Sequence, residues 1–421
     1  MSRPSGGLIP DLPKRAWEVL AFDGVSAFGS GLVLPFLIIY LHRVRGIEIE
    51  VAGLALGMVA VAGLVAGPVS GSFVDRFGAR FALMAALFLS ATGALLVIWV
   101  REPWQAFVAT AVLGCGEAAF WPSIQSLLAG AVTTEQRSSV FAVHYATLNA
   151  GLGVGGVLGG LLASISSPSS FELLYLVDAF TFVPFFILLL RSRDLGAKVD
   201  SDPEETLKVG YLAVLRDRVF LRVWALMALL AAIGYAQVES GFPAFAVDVG
   251  DVGTRGVGIA FATNTFMVVA AQFITLKYMR GKRRTRALIV LTAMWALCWA
   301  LVFFSSFLTP LEATFGFSAA LGSFAIGETL LSPTIAAMVN DLAPANLRGR
   351  YNAVYTLAWS VGHVVGPPVA TVFLGAMLGR QLFLTLIVAC GFAALYALRL
   401  ERHLPPEVNL NPEEAEAAPS G

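Results

Sequence analysis

The chain is 421 residues long, 57% hydrophobic and 13% charged, with a mean hydropathy of +0.77. A soluble domain carries about 25% charged residues, so this much apolar surface calls for lipid rather than an aqueous core. The 28 basic and 28 acidic residues cancel, which excludes the basic excess that nucleic-acid binding needs.

Met1 to Arg15 is polar and basic, and about 25 mostly apolar residues follow. That run exceeds a signal-peptide core and has no small-residue cleavage pattern after it, so it reads as a retained first span. A helix needs about 20 largely apolar residues to cross the hydrocarbon. Polar breaks delimit twelve such stretches: 16–42, 51–74, 79–100, 104–132, 138–166, 171–190, 218–247, 255–279, 286–307, 310–341, 348–377 and 380–399. The expected fold is an all-α membrane protein of twelve transmembrane helices in two six-helix bundles. Residues 1–190 form the first bundle, 191–217 a cytoplasmic linker, 218–403 the second bundle, and 404–421 a disordered acidic tail with Glu407, Glu413, Glu414 and Glu416. Three cysteines, Cys115, Cys298 and Cys390, lie far apart in apolar stretches. They suggest neither a disulfide framework nor a metal site, and no cofactor is expected.

Charge sets the orientation. With the N-terminus in the cytoplasm, 23 of the 28 Lys and Arg residues fall on the inner side; the other five are Arg43, Arg45, Arg101, Arg255 and Arg380. Both termini are then cytoplasmic, in a multi-pass protein of the plasma membrane. The densest basic cluster, Lys277, Arg280, Lys282, Arg283, Arg284 and Arg286, reads as a topology anchor near anionic headgroups.

The two halves repeat. A shift of 211 residues superposes Gly116-Glu117 on Gly327-Glu328, Pro122 on Pro333, Ile124 on Ile335 and Arg137 on Arg348. It also superposes Ala142-Val143 on Ala353-Val354, Gly151 on Gly362 and Val154-Gly155 on Val365-Gly366, ten identities over forty ungapped positions. Two parallel six-helix repeats suit a transporter that rocks about a central site.

Between the second and third spans lies GSFVDRFGAR, Gly71 to Arg80. At Gly71, Asp75, Arg76, Gly78 and Arg80 it resembles the signature loop of the major facilitator superfamily, and the resemblance runs over roughly residues 16 to 400. Gly63, Gly67 and Gly71 recur every four residues, a spacing at which small residues let another backbone come close. Asp75 continues that stripe, where a carboxylate can face the positive N-terminus of a partner helix. The resemblance implies that this partner is the start of the eleventh span, near Arg348, and that the loop is a gate. Asp75→Asn is therefore expected to reduce transport greatly with near-normal expression and membrane insertion; unchanged transport would reduce the loop to a turn.

In the fifth span, Gly151, Gly155, Gly159 and Gly160 lie in a glycine-rich run that resembles the superfamily's antiporter motif, with Gly156 where proline is expected. The eleventh span carries Gly362, Gly366, Pro367 and Pro368. Such glycines permit close helix packing, and prolines kink the helix.

Ionisable residues inside a membrane are costly and point to function. Asp23, Glu117, Glu239 and Glu328 fall in the first, fourth, seventh and tenth spans, which the resemblance implies are the cavity-lining ones. They are the candidate proton and substrate groups, with Glu117 and Glu328 paired by the repeat. Asp178 reads as structural, His144 and His363 as packing histidines, and Trp121, Trp359, Tyr355 and Phe120 as packing or interfacial aromatics. Proton-coupled exporters of the superfamily usually carry an arginine in the fourth span where this chain has Thr110.

The expected function is export of small drug-like or metabolite molecules in exchange for protons, by a monomer in contact with membrane lipid. The alternatives are an uptake symporter for a polar nutrient, served by Gln125, Asn149, Gln237, Asn264 and Gln272, and a non-transporting sensor. No nucleophile motif or phosphate loop supports an enzyme.

Overall fold

The computed structural model describes residues 12–133, 136–192, 211–279, 282–344 and 347–410. Among these the chain is helical, with isolated bridges as its β-structure. In hydrocarbon every backbone N–H and C=O must be satisfied internally, so each apolar run closes on itself as a helix. The first half holds α1 (Lys14–Val44), α2 (Ile49–Phe77), α3 (Ala79–Ile98), α4 (Pro103–Gly130), α5 (Arg137–Leu162) and α6 (Pro168–Arg191). The second holds α7 (Arg218–Asp248), α8 (Thr254–Met279), α9 (Arg284–Ser305), α10 (Pro310–Leu342), α11 (Arg348–Gly375) and α12 (Gly379–Glu401). Eleven of the described helices have the length and apolarity to cross a membrane, and α8, with 26 residues, has the length.

Packing repeats with the sequence. In the first half α1 packs on α5 and α6, α4 on α2 and α3, and α3 on α6; adding six to each number gives the packing of the second half. Two stretches differ from the expected boundaries. Tyr211–Arg216, inside the expected linker, is a helix. Pro406–Asn409, inside the expected tail, forms a helical turn whose Asn409 Oδ1 accepts from the Thr285 backbone N–H at 3.0 Å. Residues 193–210 and 411–421 lie outside the described ones.

Three spans are broken. A 3-10 turn over Leu34–Phe36 interrupts α1 at Pro35, where the ring removes a donor. In α7, Gly234 leaves helical geometry and a π turn follows over Gln237–Gly241. In α10 a π turn covers Ser332–Ala336. Such turns concentrate at functional sites, and Glu239 sits inside the one in α7. Gln237 bridges that break, its Nε2 donating to the carbonyls of Ala232 (3.0 Å) and of Gly366 on α11 (3.1 Å).

The halves meet extensively on the side away from the N-terminus. There a Cβ on Gly53 of α2 would lie 2.0 Å from the Thr371 hydroxyl oxygen of α11, and one on Gly160 of α5 would lie 2.5 Å from Cα of Gly258 in α8. The Thr254 hydroxyl donates across the second seam to the Ala163 carbonyl at 2.6 Å. Asp248, ending α7, faces His42 at 3.7 Å and Arg43 at 3.3 Å, both ending α1. On the N-terminal side Gly67 and Gly71 of α2 have nothing among the described residues within 4 Å of where a side chain would start. Among the described residues the molecule is closed at one end and open at the other.

Charges follow the ends. On the far side Arg45 and Arg101 share Glu172, at 2.7 and 3.6 Å, and Arg45 also reaches the Tyr40 hydroxyl. On the N-terminal side the basic cluster after α8 does more than face headgroups. Arg284 is buried against Asp341 of α10 at 2.6 Å, and Arg283 and Arg286 both pair with Glu401 of α12. The loop lacks an acid of its own, and α10 and α12 supply it.

Candidate functional site: an acid-lined cavity between the halves

The site assembles from α4, α7, α8, α10 and α11. Glu117 of α4 is exposed and faces side chains of the other half. Its electrostatic neighbours are Glu239 of α7 and His363 of α11, with Trp121 one turn along α4 reaching its carboxylate. Glu239 Oε2 lies 3.3 Å from His363 Nε2, with 47% of the glutamate side chain accessible. Glu328 of α10 is half-buried among the hydroxyl of Tyr235 (α7) and the amide of Asn264 (α8), and it too feels Glu239. Tyr145 of α5 approaches Glu328 from the opposite half.

Glu239 is thus the acid common to the surroundings of Glu117 and Glu328. The repeat singles out those two as a symmetric pair, and in space α7 joins them. His363, read from the sequence as a packing histidine, belongs to this group of side chains, its Nδ1 3.0 Å from the Trp359 carbonyl oxygen. The aromatic surroundings are those of the second half. Tyr235 packs on Trp359 with ring centroids 4.6 Å apart and edge-on to Trp295 and Phe324, which stack on each other at 4.6 Å. Tyr235 and Tyr145 escaped the sequence reading; a mid-span tyrosine whose hydroxyl must find a partner was the available signal.

Asp23 corrects an expectation. It does not line the cavity: it is 1% exposed and faces His144 of α5, Oδ2 to Nε2 3.0 Å. The reason is the glycine run. Gly151, Gly155 and Gly159 bring α5 against α1, where a Cβ would lie 2.7, 2.2 and 2.3 Å from the carbonyl oxygens of Gly24, Phe28 and Leu32. That contact turns the Asp23 face of α1 inward to its own half. His144, read from the sequence as a lone packing residue, is therefore half of a buried acid–base pair. Asp178 of α6 is buried, and its Oδ1 meets no donor among the described residues.

The glycines of α5 serve two faces. Gly160, with Gly153 and Gly156, meets α8, while Gly362 and Gly366 of α11 lie against Ala231 and Ala236 of α7. Buried Pro367 sits in the same stretch of α11. In the loop after α2, Gly78 alone interrupts the helices at φ 86°, a conformation that favours glycine. Arg80 donates from Nε to the Leu189 carbonyl at 2.6 Å and from Nη2 to the Leu190 carbonyl at 3.1 Å, capping the end of α6. Arg76 is exposed. The side chains of Asp75 and Arg348 lie outside the described ones, so their expected contact does too. Along the glycine stripe of α2, a Cβ on Gly63 would lie 3.7 Å from the Gly114 carbonyl oxygen of α4 in the same half, and at Gly67 and Gly71 nothing among the described residues comes within 4 Å.

Two six-helix halves with one packing scheme and a shared acidic cavity describe a transporter architecture. The family model of the Major Facilitator Superfamily matches residues 24–325 and 256–420. The chain belongs to the Major Facilitator Superfamily. It is a multi-pass membrane transporter, of a family that is not a class of enzymes, and the superfamily implies small-molecule substrates. A Na(+), Li(+), K(+)/H(+) antiporter of Planococcus maritimus is 25% identical over 370 residues, covering 80% of this chain and 84% of that protein. Multidrug resistance protein 1 of Bacillus subtilis (strain 168) is 22% identical over 385 residues, covering 90% and 95%. Among solved structures, a POT family transporter in complex with 5-aminolevulinic acid superposes with a TM-score of 0.75 at 14% identity, covering 96% of this chain and 98% of that one. The nucleoside transporter NupG gives 0.69 at 11% identity, covering 93% and 99%. These two share the fold.

Proposed function

We propose that this superfamily member exports small drug-like molecules, organic cations foremost, in exchange for protons. The observation that carries the reading is the composition of the cavity: three carboxylates, Glu117, Glu239 and Glu328, against one histidine, His363, with aromatic rings beside them. An acid in low-dielectric surroundings holds a proton or a cation, and the two compete. Aromatic faces favour a cation over a neutral molecule of the same size. The names of the two relatives above, a cation/proton antiporter and a multidrug resistance protein, support the same direction.

The protein acts as a monomer in the plasma membrane, with both termini and the 191–217 stretch cytoplasmic and the halves divided at 1–190 and 218–403. The charge bias supports this orientation, and in it the open end of the cavity faces the cytoplasm. Asp75 with its neighbours Gly71, Arg76, Gly78 and Arg80 gates that end. The polar group around Glu328, with Tyr235, Asn264 and Tyr145, favours a second reading, uptake of a hydrogen-bonding nutrient together with protons.

The test is ethidium transport in inverted vesicles with an acidic lumen. Export by antiport predicts accumulation in the lumen that collapses with the gradient. Loss of preloaded substrate driven by the same gradient supports the uptake reading instead. Movement insensitive to the gradient in both arrangements rejects proton coupling.

A further inference from the structure

Asp23 and His144 are a buried acid–base pair of the first half that the cavity does not use. We propose that they form a second proton-binding site, buried between α1 and α5, whose charge state is felt at Glu117 through Trp121. The proposal deepens the proton-exchange reading and rests on it.

The geometry is specific. Asp23 is 1% and His144 5% exposed, their facing atoms 3.0 Å apart. Neither carboxylate oxygen has a hydrogen-bond donor among the described residues, and His144 Nε2 does not meet the carboxylate in hydrogen-bond geometry. Without a proton on the imidazole the pair buries one net negative charge; with it the pair is neutral. A buried uncompensated charge is costly, and a proton bound at Nε2 removes it with no bond broken.

The titratable groups around it are few. On α1 itself Glu18 lies near the helix start and pairs with Lys14 and Arg15. From α6 comes Asp178, which lies against Gly29 of α1, almost two turns beyond Asp23. On α5 the neighbouring Tyr145 is engaged with Glu328 and Asn149. From α4 comes Trp121, edge-on to the His144 ring with centroids 6.2 Å apart, 38% exposed, and reaching the Glu117 carboxylate. Across the α5–α8 seam, the glycines 153 to 160 lie farther along the helix than His144, and Arg255 starts α8 at the far end.

Trp121 therefore touches both the buried pair and the cavity acid. An imidazolium beside its ring attracts the π-system, and moving the indole changes what Glu117 can bond. The second half has a counterpart. Its own imidazole–carboxylate pair, His363 with Glu239, joins α11 to α7, the helices that repeat α5 and α1. One pair is accessible in the cavity; the other is buried beside a tryptophan.

The experiment needs no transport substrate, so it stands whether or not ethidium is transported. The fluorescence of full-length purified protein in lipid nanodiscs is titrated between pH 5 and 9, and that of Trp121→Phe is subtracted. The expected result is a Trp121 signal quenched on acidification through one transition. In Asp23→Asn, which removes the carboxylate facing the imidazole, the transition is displaced from its wild-type position. In His144→Gln it disappears. Identical titrations of wild type and Trp121→Phe overturn the proposal even if the other variants fail to fold. A transition that survives His144→Gln overturns it as well.

Discussion

Glu117→Gln and Glu328→Gln are each expected to abolish pH-gradient-driven ethidium accumulation, at least tenfold below the unmodified protein, while leaving some downhill exchange. Glutamine keeps the size and hydrogen-bonding reach of the side chain but can neither bind nor release a proton. The cavity survives and the coupling step does not. The larger effect is expected at Glu117, which lies in the electrostatic field of both Glu239 and His363, so its charge is linked to the cavity's imidazole–carboxylate pair. Glu328 is surrounded by Tyr235 and Asn264, which can hold a neutral amide nearly as well as a carboxylate. Full gradient-driven accumulation in both variants would make the pair structural and move the coupling to Glu239.

The second expected result concerns the closed end. Gly160→Leu should reduce transport at least tenfold with normal insertion in the membrane. A side chain at Gly160 would begin 2.5 Å from Cα of Gly258, and one at Gly258 would begin 2.7 Å from Cα of Gly160. Both obstacles are backbone, so neither can rotate away, and overpacking of this kind forces helices apart. The far-side seam then cannot close, and the state that opens the cavity toward the N-terminal side is lost. The direct readout is a cysteine at Thr254, which is 6% exposed where its hydroxyl bonds across the seam. Thr254→Cys should resist a membrane-impermeant maleimide in the otherwise unmodified protein and react with it when Gly160→Leu is added. Unchanged labelling together with unchanged transport sinks the idea that this seam opens and closes.

The twelve spans were readable because lipid allows little else. A run of about 20 apolar residues must bond its own backbone, and charged or turn residues such as Arg101–Glu102 and Gly250–Asp251 mark the breaks. The two-fold repeat was readable for a different reason: Glu, Pro and Arg are too rare in apolar sequence to coincide by chance at one shift. The breaks within α1 and α7 were less visible, since Gly234 and Pro35 resemble the many glycines and prolines that membrane helices tolerate without breaking.

Which face of each helix points where could not be read in the same way. In a soluble helix the apolar stripe turns inward, but here lipid and protein neighbours are equally apolar, and the pattern carries no direction. The sequence by itself therefore determined the membrane class, the helix count, the repeat and the inventory of intramembrane acids. Only the tertiary structure decided that Asp23 leaves the cavity for His144, that Glu239 joins Glu117 to Glu328, and that His363 belongs to the site. Those choices rest on where glycine lets one backbone approach another, as at Gly151 and Gly155 against α1, and such contacts exist only once two helices are placed side by side.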